Sequence, residues 1–222
     1  MTHFFVLLQK DLLVGWRGRS RLVGLVTYGT SLLLLFSFAL GADSAVLREH
    51  AAAYLWVALL SASTLLLAQS FQHETEAGAL EGLLLVPVSP MALYYAKATA
   101  NLVLLLFLAV ALFPLTAVLF DLQGGISPLR LAAVVTLGSA GLVGPGTLYA
   151  ALTARLASKQ VMLPVLLFPL VIPPVVASVK GTQLALTGDP MGQLVSWLSL
   201  LLIFDLLYWS LGGILLGKVL DE

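Results

Sequence analysis

Thr99-Ala-Asn-Leu-Val-Leu-Leu-Leu-Phe-Leu-Ala-Val-Ala-Leu-Phe-Pro-Leu-Thr-Ala-Val-Leu-Phe120 runs for 22 residues without a charge. A bilayer core of about 30 Å takes roughly 20 apolar helical residues to cross, so this one segment is long enough. Five more segments of the chain share its character: approximately 22–40, 51–71, 131–153, 161–179 and 194–217. In lipid every backbone N–H and C=O must pair within its own segment or barrel. The alternating ten-residue pattern of barrel strands is missing, so the reading is an all-α integral membrane protein with six transmembrane helices in one domain, 1–222.

Composition agrees. Of the 222 residues, 60% are hydrophobic and only 10% charged, too few charges to cover a water-soluble surface. Net charge is zero, which gives no bulk attraction to nucleic acid. There is no cysteine, which excludes disulfides, thiolate-held zinc and iron–sulfur clusters. Lys10, Arg17, Arg19, Arg21, Lys97, Arg155, Lys159 and Lys218 fall on one side of the six-span topology; Arg48, Arg130 and Lys180 fall on the other. This eight-to-three asymmetry predicts both termini in the cytoplasm. Ala39-Leu-Gly41 resembles a signal cleavage site, but more than 20 residues precede the apolar stretch, so the first span is expected to be retained.

Residues 1–21 read as a short interfacial helix. Phe4, Phe5, Leu8 and Leu12 recur at helical spacing, and Lys10, Arg17 and Arg21 share another face suited to lipid headgroups.

The loop 72–98 is the most polar part of the interior sequence. Glu74, Gly78 and Glu81 share one face of a short helix, Leu80, Leu83 and Leu84 the other, and Glu76 falls toward the leucines. Pro87 and Pro90 end that helix. Such an element can lie on the membrane surface and present carboxylates to a cytoplasmic partner, or be a solvated loop. No polar constellation converges with these glutamates as acid–base catalysis requires, so no catalytic residue is expected. No histidine pair has metal-ligand spacing among His3, His50 and His73, so no metal site is expected.

Gly212-Gly-Ile-Leu-Leu-Gly217-Lys218-Val219 has part of a P-loop spacing, but Val219 stands where magnesium needs a hydroxyl and no strand precedes it. Gly213 and Gly217 read better as a helix-packing face. Any ATP chemistry then belongs to another chain.

Within the spans, Asp205 is an isolated carboxylate, either functional or hydrogen-bonded inside the bundle to Tyr208 or a neighbouring hydroxyl. Backbone breakers cluster in the fourth and fifth spans: Gly141, Gly144, Pro145 and Gly146, then Pro164, Pro169, Pro173 and Pro174. Each proline removes an intrahelical hydrogen bond, so a kink or hinge is expected there.

Two blocks carry a family resemblance. The first is Glu76-Ala-Gly-Ala-Leu-Glu-Gly-Leu-Leu-Leu-Val-Pro-Val-Ser-Pro90 with Ala96-Lys97; the second is Gly141-Leu-Val-Gly-Pro-Gly-Thr-Leu-Tyr-Ala-Ala-Leu-Thr153 through Lys159-Gln-Val-Met-Leu-Pro164 to Pro174. Together with the length, the six spans and the short first helix, they resemble CcmB-type permeases of the bacterial cytochrome c maturation system. The resemblance implies an ABC-2-like, type V exporter-like permease in the bacterial inner membrane. It implies pairing with a separate ATPase, CcmA, which would hold ATP and magnesium, and association with CcmC, CcmD and CcmE and with a second copy of the chain. It implies haem as cargo of the complex, with no cofactor bound by this chain alone. The ATPase-coupling positions it implies are Glu74, Glu76, Gly78, Leu80, Glu81 and Pro87. An ABC-2 exporter of another lipid-like or drug-like cargo is the nearest alternative.

Overall fold

A computed structural model describes residues 2–41, 43–71, 89–122, 127–153 and 159–220, with seven helices among them. They are α1 (Thr2–Arg17), α2 (Arg19–Leu40), α3 (Ser44–Ser70), α4 (Pro90–Leu119), α5 (Pro128–Thr153), α6 (Lys159–Thr187) and α7 (Leu194–Leu220). Six of them, α2 to α7, are long and apolar enough to cross a membrane. They alternate in direction, so α1, the start of α2 and the end of α7 share one end of the bundle, here called the proximal end. The expected coupling positions Glu74, Glu76, Gly78, Leu80, Glu81 and Pro87 lie outside the described residues.

Several helices are longer than the apolar runs, because capping extends them. Asp43 caps α3 by accepting from the Ala45 N–H, so this helix starts well before residue 51. Ser89 caps α4 by accepting from the Ala92 N–H, with Pro90 in the first turn. The expected loop 72–98 is therefore too long, and residues 90–98, Lys97 among them, are helical. The first helix ends at Arg17 rather than at 21, where Gly18 separates it from α2. Gly41 stops α2 at φ 78° and Gly188 follows α6 at φ 97°, backbone angles that glycine adopts without strain. The carboxylate of Asp189 then accepts from the N–H groups of Gln193 and Leu194 and opens α7.

α3 and α5 form the buried middle, while α2, α4, α6 and α7 turn broad apolar faces outward. Phe38, Val110, Val118 and Ile203 are among these outward residues, as a lipid solvent permits. At the distal end Phe36, Tyr54 and Phe120 stack in series, with centroids 4.3 and 5.9 Å apart. Arg48 pairs with Asp121 at 3.1 Å across the partly exposed rim. α1 lies along α4, and the approach is close because Gly15 has no side chain: a β-carbon there would stand 2.9 Å from Leu104 Cδ1.

Candidate functional site

The glycine–proline segment of the fourth span is helical throughout. Pro145 lies inside α5, and Gly141 to Leu148 are all buried. The physical reason is the neighbours. Glycines expose the α5 backbone, and donors from other helices bond to it. Tyr94 donates its hydroxyl to the Gly144 carbonyl at 3.0 Å, and Trp209 donates its indole N–H to the Ala140 carbonyl at 3.1 Å. A β-carbon on Gly144 would meet the Trp209 indole at 2.8 Å, and one on Gly146 would collide with Leu67. The segment is thus a packed seam rather than an interruption. Gly212 and Gly213 of α7 let Tyr94 and Tyr95 in from α4; of the expected packing pair Gly213 makes this contact, and Gly217 lies outside the described side chains. Tyr95 closes the arrangement by donating to the Trp209 carbonyl at 3.2 Å.

The prolines of α6 differ in their surroundings. The helix continues through Pro164, Pro169, Pro173 and Pro174. Pro174 is buried against α5, close to Gly141; Pro164 is half-buried; Pro169 and Pro173 are exposed on the outer face. Pro174 thus meets the α5 seam.

Asp205 is buried, 7% exposed, where α7 crosses α5 and α6. A β-carbon on Gly141 would stand 3.2 Å from its Oδ1 and 3.0 Å from Pro174 Cβ. Neither carboxylate oxygen has a hydrogen-bond partner among the described residues, and the expected bond to Tyr208 is not formed. Instead the Tyr208 carbonyl accepts from Tyr94 at 3.4 Å. Ser139 and Ser178 are likewise buried with unpartnered hydroxyl oxygens. Trp56 does find a partner, donating to Thr182 at 2.8 Å. His50 bonds the Val46 carbonyl one turn back, a local contact. Among the described residues no group of His, Asp and Glu is placed to hold a metal.

The most developed polar cluster lies at the proximal end and centres on Lys97, read from the sequence as a topology charge and as part of the first resemblance block. Its ammonium donates to the Ser70 carbonyl at 2.9 Å, sits 3.5 Å from Asp11 Oδ2, and lies 4.8 Å from the centre of the Phe71 ring. Asp11 also pairs with Lys10 at 3.2 Å. One turn on, Asn101 donates to Thr147 of α5 at 3.1 Å. Lys97 is only 3% exposed, so its charge is stabilised by these groups rather than by water. The consequence is mechanical. Ser70 and Phe71 are the last described residues before segment 72–88, and α4 begins just after it. Lys97 ties the entrance of that segment to the helix that follows it, and Asp11 ties both to α1. Lys10 and Arg21 turn toward this cluster, whereas Arg17 and Arg19 are exposed, so the basic face of the first helix is split between bundle and surroundings.

The sequence is similar to proteins of one family over nearly its whole length. It is 29% identical over 196 residues to a protein of Pseudomonas aeruginosa named heme exporter protein B, covering 88% of this chain and 87% of that one. It is 29% identical over 194 residues to the protein of that name in Bradyrhizobium diazoefficiens, covering 85% and 84%. The Haemophilus influenzae counterpart is 26% identical over 202 residues, with 90% of each chain covered. The profile described as CcmB protein matches residues 2–212, through α1, all six spans and the Lys97 cluster, and the chain belongs to the CcmB family.

Proposed function

We propose that this chain is the membrane-spanning permease subunit of an ATP-driven haem exporter serving cytochrome c maturation. The family match over residues 2–212 on a six-span bundle carries the reading, and the relatives named heme exporter protein B supply the cargo. The work of ATP hydrolysis belongs to a separate cytoplasmic ATPase of the CcmA kind. Segment 72–88, with Glu74, Glu76, Gly78, Leu80, Glu81 and Pro87, is its docking element, and both termini lie on the same cytoplasmic side of the inner membrane. CcmC-, CcmD- and CcmE-like haem-handling proteins and a second copy of the chain complete the assembly.

The bracing of this segment supports the reading. A docking element that transmits force needs a rigid base, and the buried Lys97 contacts provide one at the proximal end. Asp205 and the α5 seam lie further into the bundle, where a change in the packing of α5 against α7 would be felt.

Deletion of the gene, followed by haem staining of membrane proteins, tests the function. Loss of covalent haem from c-type cytochromes, restored by the plasmid-borne gene, is expected. Unchanged c-type cytochromes in the deletion strain would overturn it. Affinity purification in mild detergent tests the assembly, and the ATPase is expected to co-purify.

A further inference from the structure

Asp205 lies near the middle of α7 and is buried. A carboxylate removed from water is costly unless donors or a cation take the place of its hydration. None of the described residues does so, since neither oxygen has a hydrogen-bond partner among them. α7 packs against α4, α5 and α6. Among the described basic side chains of these helices, Arg130 and Lys180 are exposed, and Lys97 is turned to Asp11 and Ser70. The other described titratable groups there are phenols. Tyr94 donates to the carbonyls of Gly144 and Tyr208 and Tyr95 to that of Trp209, while Tyr149 and Tyr208 form no bond to Asp205. The setting therefore lacks what an anion requires. A protonated carboxyl requires less: one acceptor for its O–H.

Such an acceptor is built into α5 beside it. In a helix the carbonyl of Gly141 would accept from the N–H four residues on, at position 145. That position is Pro145, inside the helix, and proline has no N–H. Gly141 also lacks a side chain, and the carboxyl of Asp205 covers its open side: a β-carbon there would stand 3.2 Å from Oδ1. The same position is 3.0 Å from Pro174 Cβ and 3.7 Å from Phe204 Cδ1, so the other walls are apolar. Ser178 is the next polar group, lying over Gly138 one turn nearer the distal end. Positions a turn apart on a helix are separated by about 5–6 Å, which leaves Gly141 the nearer acceptor. Gly141 and Pro145 thus bring a helix carbonyl without its usual donor next to a carboxyl without a partner.

We propose that Asp205 is a proton-binding site of the packed bundle, its carboxyl held neutral with the O–H given to the Gly141 carbonyl. The site is made by three helices: α7 carries the acid, α5 the acceptor, and α6 the apolar cover at Pro174. Its occupancy is tied to their packing. When α7 moves away from α5, the carboxyl loses its acceptor and meets water. The O–H bond then breaks, the proton passes to water, and a carboxylate remains. Return of α7 against α5 takes up one proton again. Repacking of this contact therefore carries a proton with it, whatever the cargo and whichever chain hydrolyses ATP.

The test uses the purified full-length chain alone in detergent, so its result is separate from that of haem export. Infrared spectroscopy at neutral pH reads the C=O stretch of a protonated carboxylic acid, distinct from that of a carboxylate. The unaltered chain is expected to show this band and Asp205→Asn to lack it. A hydrophobic carbodiimide, which the O–H of a protonated acid adds across, should modify the chain at Asp205, as read by peptide mass spectrometry. Pro145→Ala restores an N–H for the Gly141 carbonyl without touching Asp205, and it should weaken the band because the carboxyl loses part of its acceptor. Replacing choline chloride by sodium chloride should leave the band in place. Spectra of the unaltered chain and Asp205→Asn that do not differ in this band would overturn the site. Loss of the band in sodium would make Asp205 a metal-cation site instead, and a band untouched by Pro145→Ala would remove Gly141 as the acceptor; either result overturns the proposal. Should Pro145→Ala fail to elute as a single species, the Asp205→Asn difference and the sodium comparison still decide.

Discussion

The Lys97 ammonium donates to the carbonyl of Ser70, a residue 27 positions earlier, at 2.9 Å. The bond spans the whole of segment 72–88 and holds its two ends together, while Asp11 on α1 compensates part of the charge. A buried ion pair broken on one side leaves the other charge uncompensated and typically costs about 3–5 kcal/mol. Lys97→Met is therefore expected to lower stability in detergent by about this amount. Asp11→Asn should cost less, because Lys97 keeps its bond to Ser70. Thermal unfolding of the two purified variants ranks them, and the opposite order would show that α1 rather than Ser70 dominates the anchor.

The seam of α5 gives a second expectation. Gly144→Ala places a β-carbon 2.8 Å from the Trp209 indole. Overpacking of this kind costs roughly 1–3 kcal/mol. Trp209→Phe in the same chain loses the indole N–H that bonds Ala140 but opens space beside residue 144. The double variant should then be less unstable than the sum of the two single ones, as coupled neighbours are. Strict additivity in the unfolding midpoints would place residue 144 away from Trp209.

The six spans were legible because bilayer thickness imposes length and apolarity on a helix whatever its neighbours. Helix ends were less so: Asp43 and Ser89 carry α3 and α4 beyond their apolar runs, and a cap is visible only once the following helix is known to start there. At Gly144, Pro145 and Gly146 the sequence showed backbone breakers but not what packs against them. The same residues that weaken an isolated helix let Tyr94, Trp209 and Leu67 approach its backbone, and contacts between helices are not readable from one segment. Lys97 was hidden for a similar reason. Its partners, Asp11 and Ser70, are far from it in sequence, and a lysine near a loop normally marks only topology. Asp205, by contrast, stood out as an isolated intramembrane carboxylate, and its burial was foreseeable from the cost of facing lipid.

At Asp205 neither oxygen is partnered among the described residues. Asn has nearly the same volume and no ionisable group. Asp205→Asn should therefore unfold at the same temperature as the unaltered chain or above it, while Asp205→Leu, which forces a branched side chain against Gly141 and Pro174, should unfold lower. A marked fall for Asp205→Asn in a thermal scan would mean that the carboxylate supports the bundle through a bond that packing alone does not display.

The absence of cysteine makes sidedness directly measurable, since a single introduced thiol is the only one in the chain. Met191, 80% exposed in the distal loop between α6 and α7, is a suitable position. With both termini cytoplasmic, Met191→Cys should react with a membrane-impermeant maleimide in intact spheroplasts. Arg17→Cys, exposed at the proximal end, should react only after permeabilisation. Reversed labelling would invert the topology drawn from the lysine and arginine count.

Coupling to the ATPase can be tested at the glutamates themselves. Glu74 and Glu81 share a wheel face with Gly78, and Leu80 lies on the opposite one. If this helix is wedged between membrane and ATPase, its two faces contribute differently. A carboxylate at the rim of a contact is worth under about 1 kcal/mol, whereas one desolvated against Arg or Lys costs about 2–5 kcal/mol when truncated. Single alanine variants of Glu74, Glu76 and Glu81 should then separate into one that loses the ATPase in pull-down and others that nearly keep it. Leu80→Asp should lose it more completely, because a charge on the leucine face opposes docking wherever the glutamates point. Lys97→Met supplies the control for the base of the segment. It should weaken capture of the ATPase although no residue of 72–88 is altered, as expected if Lys97 sets the position of the docking element. Wild-type capture by both Leu80→Asp and a variant with Glu74, Glu76 and Glu81 all changed to alanine, with normal membrane insertion, would remove segment 72–88 from the coupling path.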